Sequence, residues 1–375
     1  MKHRFKLWQV ILAGVNAACI IAALILTALG GTAAKRREYD RAAERWSGGK
    51  GGFTQLCAFF TGDSGFNTSS LGSLRAGIHL ALQDASVAAE EGRTLVPDAY
   101  SAELGSYGVQ SSGSSRAEAQ VTAVGGDFFL FRSFELLSGA FFTEEDIMQD
   151  GAVIDSELAW ELYGSDDIAG MDIYIGGVKF YIAGVTALPR DKTEKKCAGD
   201  TRRVYISYDG AGNIEGSSYA GSSYSDPDMP PVTELPGFSR IDCYECIIPE
   251  PVKNFAESTL KKQLKPAYKG KYELVVNSKR YHPSVLKKAK LTELAVRKIP
   301  LAFPYWENAS RITEARLRAL YAARKIVLIL PVLTALLLII KGYILLKRSK
   351  PRIKAAAAGA FDKLRSRGRK RNTTT

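Results

Sequence analysis

The residues best equipped for chemistry in this 375-residue chain are one cysteine pair, two internal histidines, a cluster of acids and three serines. Cys243-Tyr244-Glu245-Cys246 has the spacing of half a zinc knuckle. A closed zinc site takes four ligands, no second pair follows, and on a strand these two side chains point opposite ways. Structural cysteines are the simpler reading; a bridge from Cys57 to Cys243 or to Cys246 is the other use open to them. Cys19, within an apolar run, serves as a small apolar residue. His79 sits among apolar neighbours with no second histidine near it, and His282 stands alone. The densest acids are Asp127, Glu144, Glu145 and Asp146. Acid/base hydrolysis needs two carboxylates held across a cleft. These lie at a turn and at a helix start, where acids cap. Ser47, Ser138 and Ser156 lack the strained elbow of a serine nucleophile. No Gly-rich phosphate loop ending in Gly-Lys-Ser/Thr occurs anywhere. The expectation is a protein that is not an enzyme and needs no cofactor or metal. Phe128-Phe129, just after Gly125-Gly126-Asp127, are a candidate partner-binding patch; buried aromatics after a turn are the alternative.

Two uncharged apolar runs bracket everything else. The first covers residues 7–31 and the second residues 326–346, broken only by Lys341. About 20 apolar residues cross roughly 30 Å of hydrocarbon. Both runs qualify, so the chain is expected to loop out of a plasma membrane and back. The net charge of +12 belongs to the ends. Residues 347–375 hold eleven Lys/Arg against Asp362, and Lys2, Arg4 and Lys6 add three more. Subtracting both groups leaves the middle at −1. The positive-inside rule then places both termini in the cytoplasm, although Lys35, Arg36, Arg37, Arg41 and Arg45 crowd the outer end of the first span. A cleaved signal peptide is the rival for that span, but signal cores are about 7–15 residues and this one is longer. Lys363, Arg365, Arg367, Arg369, Lys370 and Arg371 are candidate contacts for anionic lipids. A topology signal with no further task explains them equally well. With the span adjoining, nucleic acid is not an expected partner.

The elements between the spans follow from periodicity. Residues 35–46 read as the first helix continuing outward as a stalk. Residues 53–60, 100–112, 241–249 and 272–277 read as strands. Leu71, Leu74, Ile78, Ala81, Leu82 and Ala85 mark a helix face, and residues 252–264 are also helical. Two β-α-β units thus stand near opposite ends of the domain and must pair across an insertion. Within the insertion Thr143 heads a short helix start and residues 155–164 form a compact helix. Residues 171–185 alternate around Gly176-Gly177 as a hairpin. Residues 313–324 read as a charged helix entering the second span. Residues 207–236 read as a mobile loop.

Val121-Thr122-Ala123-Val124-Gly125-Gly126-Asp127-Phe128-Phe129, then Leu136-Leu137-Ser138-Gly139-Ala140-Phe141-Phe142, resembles the extracytoplasmic core domain of MacB-type ABC transporter permeases. So do Ala152-Val153-Ile154-Asp155-Ser156, Tyr163-Gly164, Ile168-Ala169-Gly170-Met171 and Phe180-Tyr181-Ile182-Ala183-Gly184-Val185. The likeness covers about residues 8–210 and rests on glycines and apolar positions, which identify a fold better than an activity. It implies an α+β fold: two transmembrane helices flanking an extracytoplasmic domain, with a split β-α-β (ferredoxin-like) lobe and an inserted β-rich lobe. The expected layout is cytoplasmic residues 1–6, a span over 7–31, the external domain over 32–324, a second span over 325–346 and a basic tail over 347–375. Within the external domain the split lobe takes residues 53–119 and 237–300, the inserted lobe 120–206 and the mobile loop 207–236. The resemblance implies a non-catalytic permease-like subunit that partners an ABC ATPase and a fuller permease. It departs from that family in having one span after the domain where the family has three. A static extracytoplasmic scaffold or receptor without an ATPase is the alternative.

Overall fold

The computed structural model describes residues 7–89, 92–221, 238–288 and 301–371. They form two compact units, residues 32–318 and the two ends, 1–31 with 319–375. Ten strands are assigned: β1 (Phe53–Phe60), β2 (Asp98–Ser111), β3 (Arg116–Gly126), β4 (Leu136–Gly139), β5 (Gly151–Asp155), β6 (Asp172–Ile175), β7 (Val178–Thr186), β8 (Arg203–Ser207), β9 (Cys243–Pro249) and β10 (Tyr272–Val276). The helices are α1 (Leu7–Lys35), α2 (Ala42–Trp46), α3 (Thr68–Asp84), α4 (Phe128–Phe131), α5 (Ser156–Tyr163), α6 (Lys192–Ala198), α7 (Tyr208–Gly221), α8 (Phe255–Tyr268), α9 (Pro283–Lys288) and α10 (Tyr305–Arg371).

In the domain unit the strands make one mixed sheet in the order β10-β1-β9-β2-β3-β8-β5-β7-β4, with β6 against β2 and β7. β1 lies between β9 and β10, antiparallel to both. The insertion does not form a separate sheet. The long β2–β3 pair carries the ladder across, and β8 adds to β3 in parallel. β1 and β9 are buried on both faces, which is why they read as nearly unbroken apolar runs. On one face Leu71, Leu74, Ile78 and Leu82 of α3 and Ala256, Leu260 and Leu264 of α8 pack with Leu56, Ala58 and Cys246. On the other, Cys57, Phe59 and Cys243 pack with Tyr39, Phe128 and Trp306.

Local chemistry sets the element ends. The Asn67 side chain accepts the Ser70 N–H at the start of α3, and Asp155 accepts the Leu158 N–H at the start of α5. Gly164 closes α5 in the left-handed region. Gly176-Gly177, both at positive φ, turn β6 into β7 as the alternation predicted.

Three expectations change, and one open alternative closes. The stretch 35–46 is no outward stalk: α1 ends at Lys35, and a 3-10 turn with α2 lays Tyr39, Asp40, Ala42 and Ala43 into the domain. The buried alanines and Tyr39 face the back of β1, which overrides the charged look of the stretch. The Thr143 segment is a turn in which the Asp146 carboxylate accepts the Thr143 N–H (3.1 Å), so these acids cap no helix. Over 207–236, residues 208–221 form α7 because Tyr208, Ala211 and Ile214 bury one face; residues 222–236 lie outside the described residues. The cysteines are free. Cys57 and Cys246 face opposite cores, which rules out that bridge, and Cys57 and Cys243 share a face unbonded.

The unit made of the chain ends contains two helices long and apolar enough to span a membrane, with mean hydropathies of 2.5 and 2.4 over their apolar windows. Two of their polar side chains pair within the unit. Asn16 donates to the Leu12 carbonyl (2.9 Å), and the Thr334 hydroxyl lies 3.1 Å from the Asn16 Oδ1. Such pairing is what hydrocarbon demands of a polar side chain.

Gly139 and Gly164 separate two costs of positive φ. A Cβ on Gly139 would overlap the Ala183 carbonyl oxygen and lie 2.8 Å from the Ala169 Cβ, whereas one on Gly164 meets nothing within 4 Å. Thermal unfolding of the detergent-solubilised protein should show Gly164→Ala costing about 1 kcal/mol and Gly139→Ala distinctly more, above about 2 kcal/mol.

Candidate functional site

The domain unit holds a cleft of about 540 Å³, a size suited to a small ligand or to part of a peptide. Five segments build it. α3 contributes Arg75, Ile78 and His79, and the start of β2 contributes Asp98. The end of β3 running into α4 brings Gly126, Asp127, Phe129 and Leu130, and the turn after β4 brings Phe141 to Glu145. Tyr244 of β9 closes the floor.

One wall is polar and pre-organised. Arg75 grips Asp98 with two bonds, Nε to Oδ2 at 2.8 Å and Nη2 to Oδ1 at 2.7 Å. That fork geometry is the strong form of a carboxylate pair. The Tyr244 hydroxyl donates to the same Asp98 Oδ2 at 3.0 Å, so this acid accepts three side-chain bonds. Burial pushes the Tyr244 phenol well above its usual range, keeping it a donor. The Glu144 carboxylate accepts the Gly126 N–H at 2.6 Å and lies 3.8 Å from the Arg75 guanidinium. Asp127 has its carboxyl held above the ordinary value of 3.8, by burial first and then by the charges of Asp98 and Glu144. The opposite wall is aromatic. Phe129 stacks on Phe141 at 4.4 Å and meets Phe142 edge-on at 5.2 Å.

The structure separates the two phenylalanines proposed as partner anchors. Phe129 is partly buried and lines the cleft. Phe128 is 1% exposed, packed beside Tyr205 and Trp306, so it belongs to the core and offers no docking surface. Its neighbourhood explains why. Arg132, wholly buried, pairs with Glu245 at 2.6 Å and sits 4.2 Å from the centres of both the Phe128 and Trp306 rings. Cys243 and Cys246 line separate cores and share no ligand. The cations Lys363, Arg365, Arg367, Arg369, Lys370 and Arg371 fall within the α10 backbone, but their side chains lie outside the described residues.

A second buried constellation went unseen in the sequence. Arg280 pairs with Glu307 through Nη2 to Oε1 at 2.7 Å and Nη1 to Oε2 at 2.8 Å, with Glu314 at 3.2 Å and with Asp40 at 3.3 Å. Asp40 also accepts from Tyr281 (2.6 Å), Ser310 (2.6 Å) and Asn277 (2.8 Å). Its members are up to 270 residues apart, as are those of the cleft at shorter range, so no local motif announces them. Of the cleft, the sequence points to Asp127, Glu144 and Glu145 as a dense acidic cluster, to Phe129 as a candidate anchor and to His79 as an isolated histidine.

Comparison with known proteins gives one family match: the model of the MacB-like periplasmic core domain fits residues 21–228. Among curated proteins, the macrolide export ATP-binding/permease protein MacB of Shewanella sp. (strain W3-18-1) is 33% identical over 110 residues, 28% of this chain and 16% of that protein. The match thus spans about a sixth of that relative's length. Among solved structures, the periplasmic region of MacB from Actinobacillus actinomycetemcomitans is 15% identical, at a TM-score of 0.41 over 63% of this chain and 94% of that one. The extracellular domain of the noncanonic ABC-type transporter YknZ from Gram-positive bacteria is 13% identical, at a TM-score of 0.38 over 59% and 99%.

Two predictions concern these charges. Arg132→Met leaves Glu245 charged and unpaired in the core and should cost about 3–5 kcal/mol, with most of the loss recovered in Arg132→Met/Glu245→Met. Denaturant titration of the single and double variants measures both. For Asp127 the folded pKa is above the unfolded one, so its protonation contributes stability that is fully present below about pH 3.8 and lost as the pH rises through the folded value. Asp127→Asn should therefore raise the melting temperature at pH 7, by less than about 1 kcal/mol of stability, and change it little at pH 3.

Proposed function

We propose a role that starts from one fact: this chain belongs to the family of the MacB-like periplasmic core domain. The protein is a non-catalytic membrane subunit of an ABC-type assembly. Its domain lies outside the plasma membrane and moves or docks with partners, an ABC ATPase and a fuller permease among them. The observation that carries this reading is the pairing of the family's domain with a candidate membrane span at each end of it. The absence of a Gly-rich phosphate loop in the sequence means that ATP hydrolysis of that kind would come from a partner. The charge distribution supports cytoplasmic termini, and the tail from Lys363 to Arg371 would lie against anionic headgroups there. Within the domain, the antiparallel order β10-β1-β9-β2 supports a split ferredoxin-like lobe with a β-rich insertion. The proposed boundaries remain residues 7–31 and 325–346 for the spans and 32–324 for the domain.

A static external scaffold is the second reading, favoured by the buried ionic constellation that locks Asp40, Arg280 and Glu307 together. Purification from native membranes in mild detergent tests the first. An ATPase and a second permease should co-purify in fixed ratio, with phosphatidylglycerol retained until residues 363–371 are neutralised. Recovery of the chain alone, in stoichiometric yield and from several preparations, would favour the scaffold.

A further inference from the structure

The cleft between α3 and the turn after β4 has a charge surplus that its own residues do not balance. Arg75, its one arginine, is spent on Asp98 through two short bonds. His79 stands at the edge. Against them the cleft presents Asp127, Glu144 and Glu145. Glu144 is met by the Gly126 N–H and the Tyr100 hydroxyl, and by its nearest cation, Arg75, at 3.8 Å. No ion pair involving Asp127 or Glu145 occurs among the described residues. Arg75 is the one cation opposite Asp98, Asp127, Glu144 and Glu145, so an anion would meet a net-negative cleft.

The facing wall adds a second requirement. Phe129, Leu130, Phe141 and Phe142 line the same cavity, so an occupant must present apolar surface beside its positive charge. A small hydrated metal ion does not do that. An arginine or lysine side chain does: its aliphatic stem lies on apolar surface while its head reaches carboxylates. Guanidinium groups also gain from aromatic faces.

Ligand size follows from the rim. One residue beyond Glu144 and Glu145, past Asp146, come Ile147 and Met148, 96% and 77% exposed. They are held in that turn by Gln149, whose side chain donates to the Glu144 carbonyl at 2.9 Å. Two large apolar side chains fixed in solvent beside an acidic cleft extend the contact surface past a single side chain. We propose that this cleft and its rim dock a basic peptide segment in which arginine or lysine alternates with apolar residues. The charged side chain enters between Asp127, Glu144 and the Phe129–Phe141 stack, and the apolar residues rest on Ile147 and Met148. This goes beyond membership of a transport assembly and is measured with no ATPase present, so its failure leaves that reading untouched.

The test uses the full-length chain in nanodiscs of zwitterionic lipid. The probe is a fluorescent, end-blocked pentapeptide alternating arginine and leucine; a glutamate–leucine peptide and free arginine amide are the controls. Saturable binding of the basic peptide is expected, weakening as salt is raised, with the acidic peptide inert and arginine amide far weaker. Asp127→Asn/Glu144→Gln should lower affinity at least about tenfold, the worth of one partly desolvated charge contact. Glutamine at 144 keeps an oxygen for the Gly126 N–H, so this variant preserves the turn. Ile147→Ser/Met148→Ser, both at exposed positions, should weaken the peptide but not arginine amide. Absence of basic-peptide binding would overturn the proposal, as would equal binding of the acidic peptide or unchanged affinity in the carboxamide variant.

Discussion

Charge that is buried must be paired, and that requirement organises the domain more than any other. Asp40, Arg280 and Glu307 are all withdrawn from water, and each would cost several kcal/mol if left without its partners. Their mutual geometry ties the stretch following α1, the turn following β10 and the first turn of α10 to one point. Burial alone would pull the Arg280 guanidinium down, yet Glu307 and Asp40 hold it above its ordinary range, so Arg280 stays charged. The Arg132–Glu245 pair repeats the arrangement beneath Tyr39, Phe128 and Trp306. Ion pairs of this kind add little net stability compared with apolar replacements, but they tolerate few alternative packings. What they secure is the single arrangement in which the entering and leaving segments of the domain are both docked.

The cleft is arranged on the opposite logic. Its Arg75–Asp98–Tyr244 group is closed on itself, while neighbouring carboxylates are left partly uncompensated at a surface rich in phenylalanine. Saturated polar groups fix the shape, and unsaturated ones remain free to meet something else. The turn that carries Glu144 and Glu145 exists in this form because the Thr143, Asp146 and Gln149 side chains bond back to its backbone. Folding those acids into a helix start, as their sequence proposes, would have removed them from the rim.

The legible parts of the fold were those with a short-range signature. The β1 run, the face of α3, the capped α5 and the glycine-turned hairpin of β6 and β7 all followed from period and punctuation. The illegible parts depend on distant partners. Residues 35–46 look like a charged helix because Lys35, Arg36, Arg37, Arg41 and Arg45 dominate them, and nothing local reveals that Arg37 finds Asp191 and Glu194. α7 hides in a Gly- and Ser-rich stretch whose three buried residues matter only once the sheet gives them a surface. Of the cleft, the acids and Phe129 could be named from the sequence; Arg75, Asp98 and Tyr244 could not, being brought together across 23 and 146 residues.

By itself, then, the sequence determined the two apolar runs, the placing of net charge at the chain ends and the family of the domain between them. Those properties are sums and periods over neighbouring residues, and no folding is needed to evaluate them. Tertiary structure decided that the insertion extends one continuous sheet, that Phe128 is core while Phe129 faces a cleft, and which charges are closed in pairs. Each of those outcomes turns on what a side chain meets from the far end of the chain. Burial and pairing are properties of contacts, and contacts exist only once the sheet has closed.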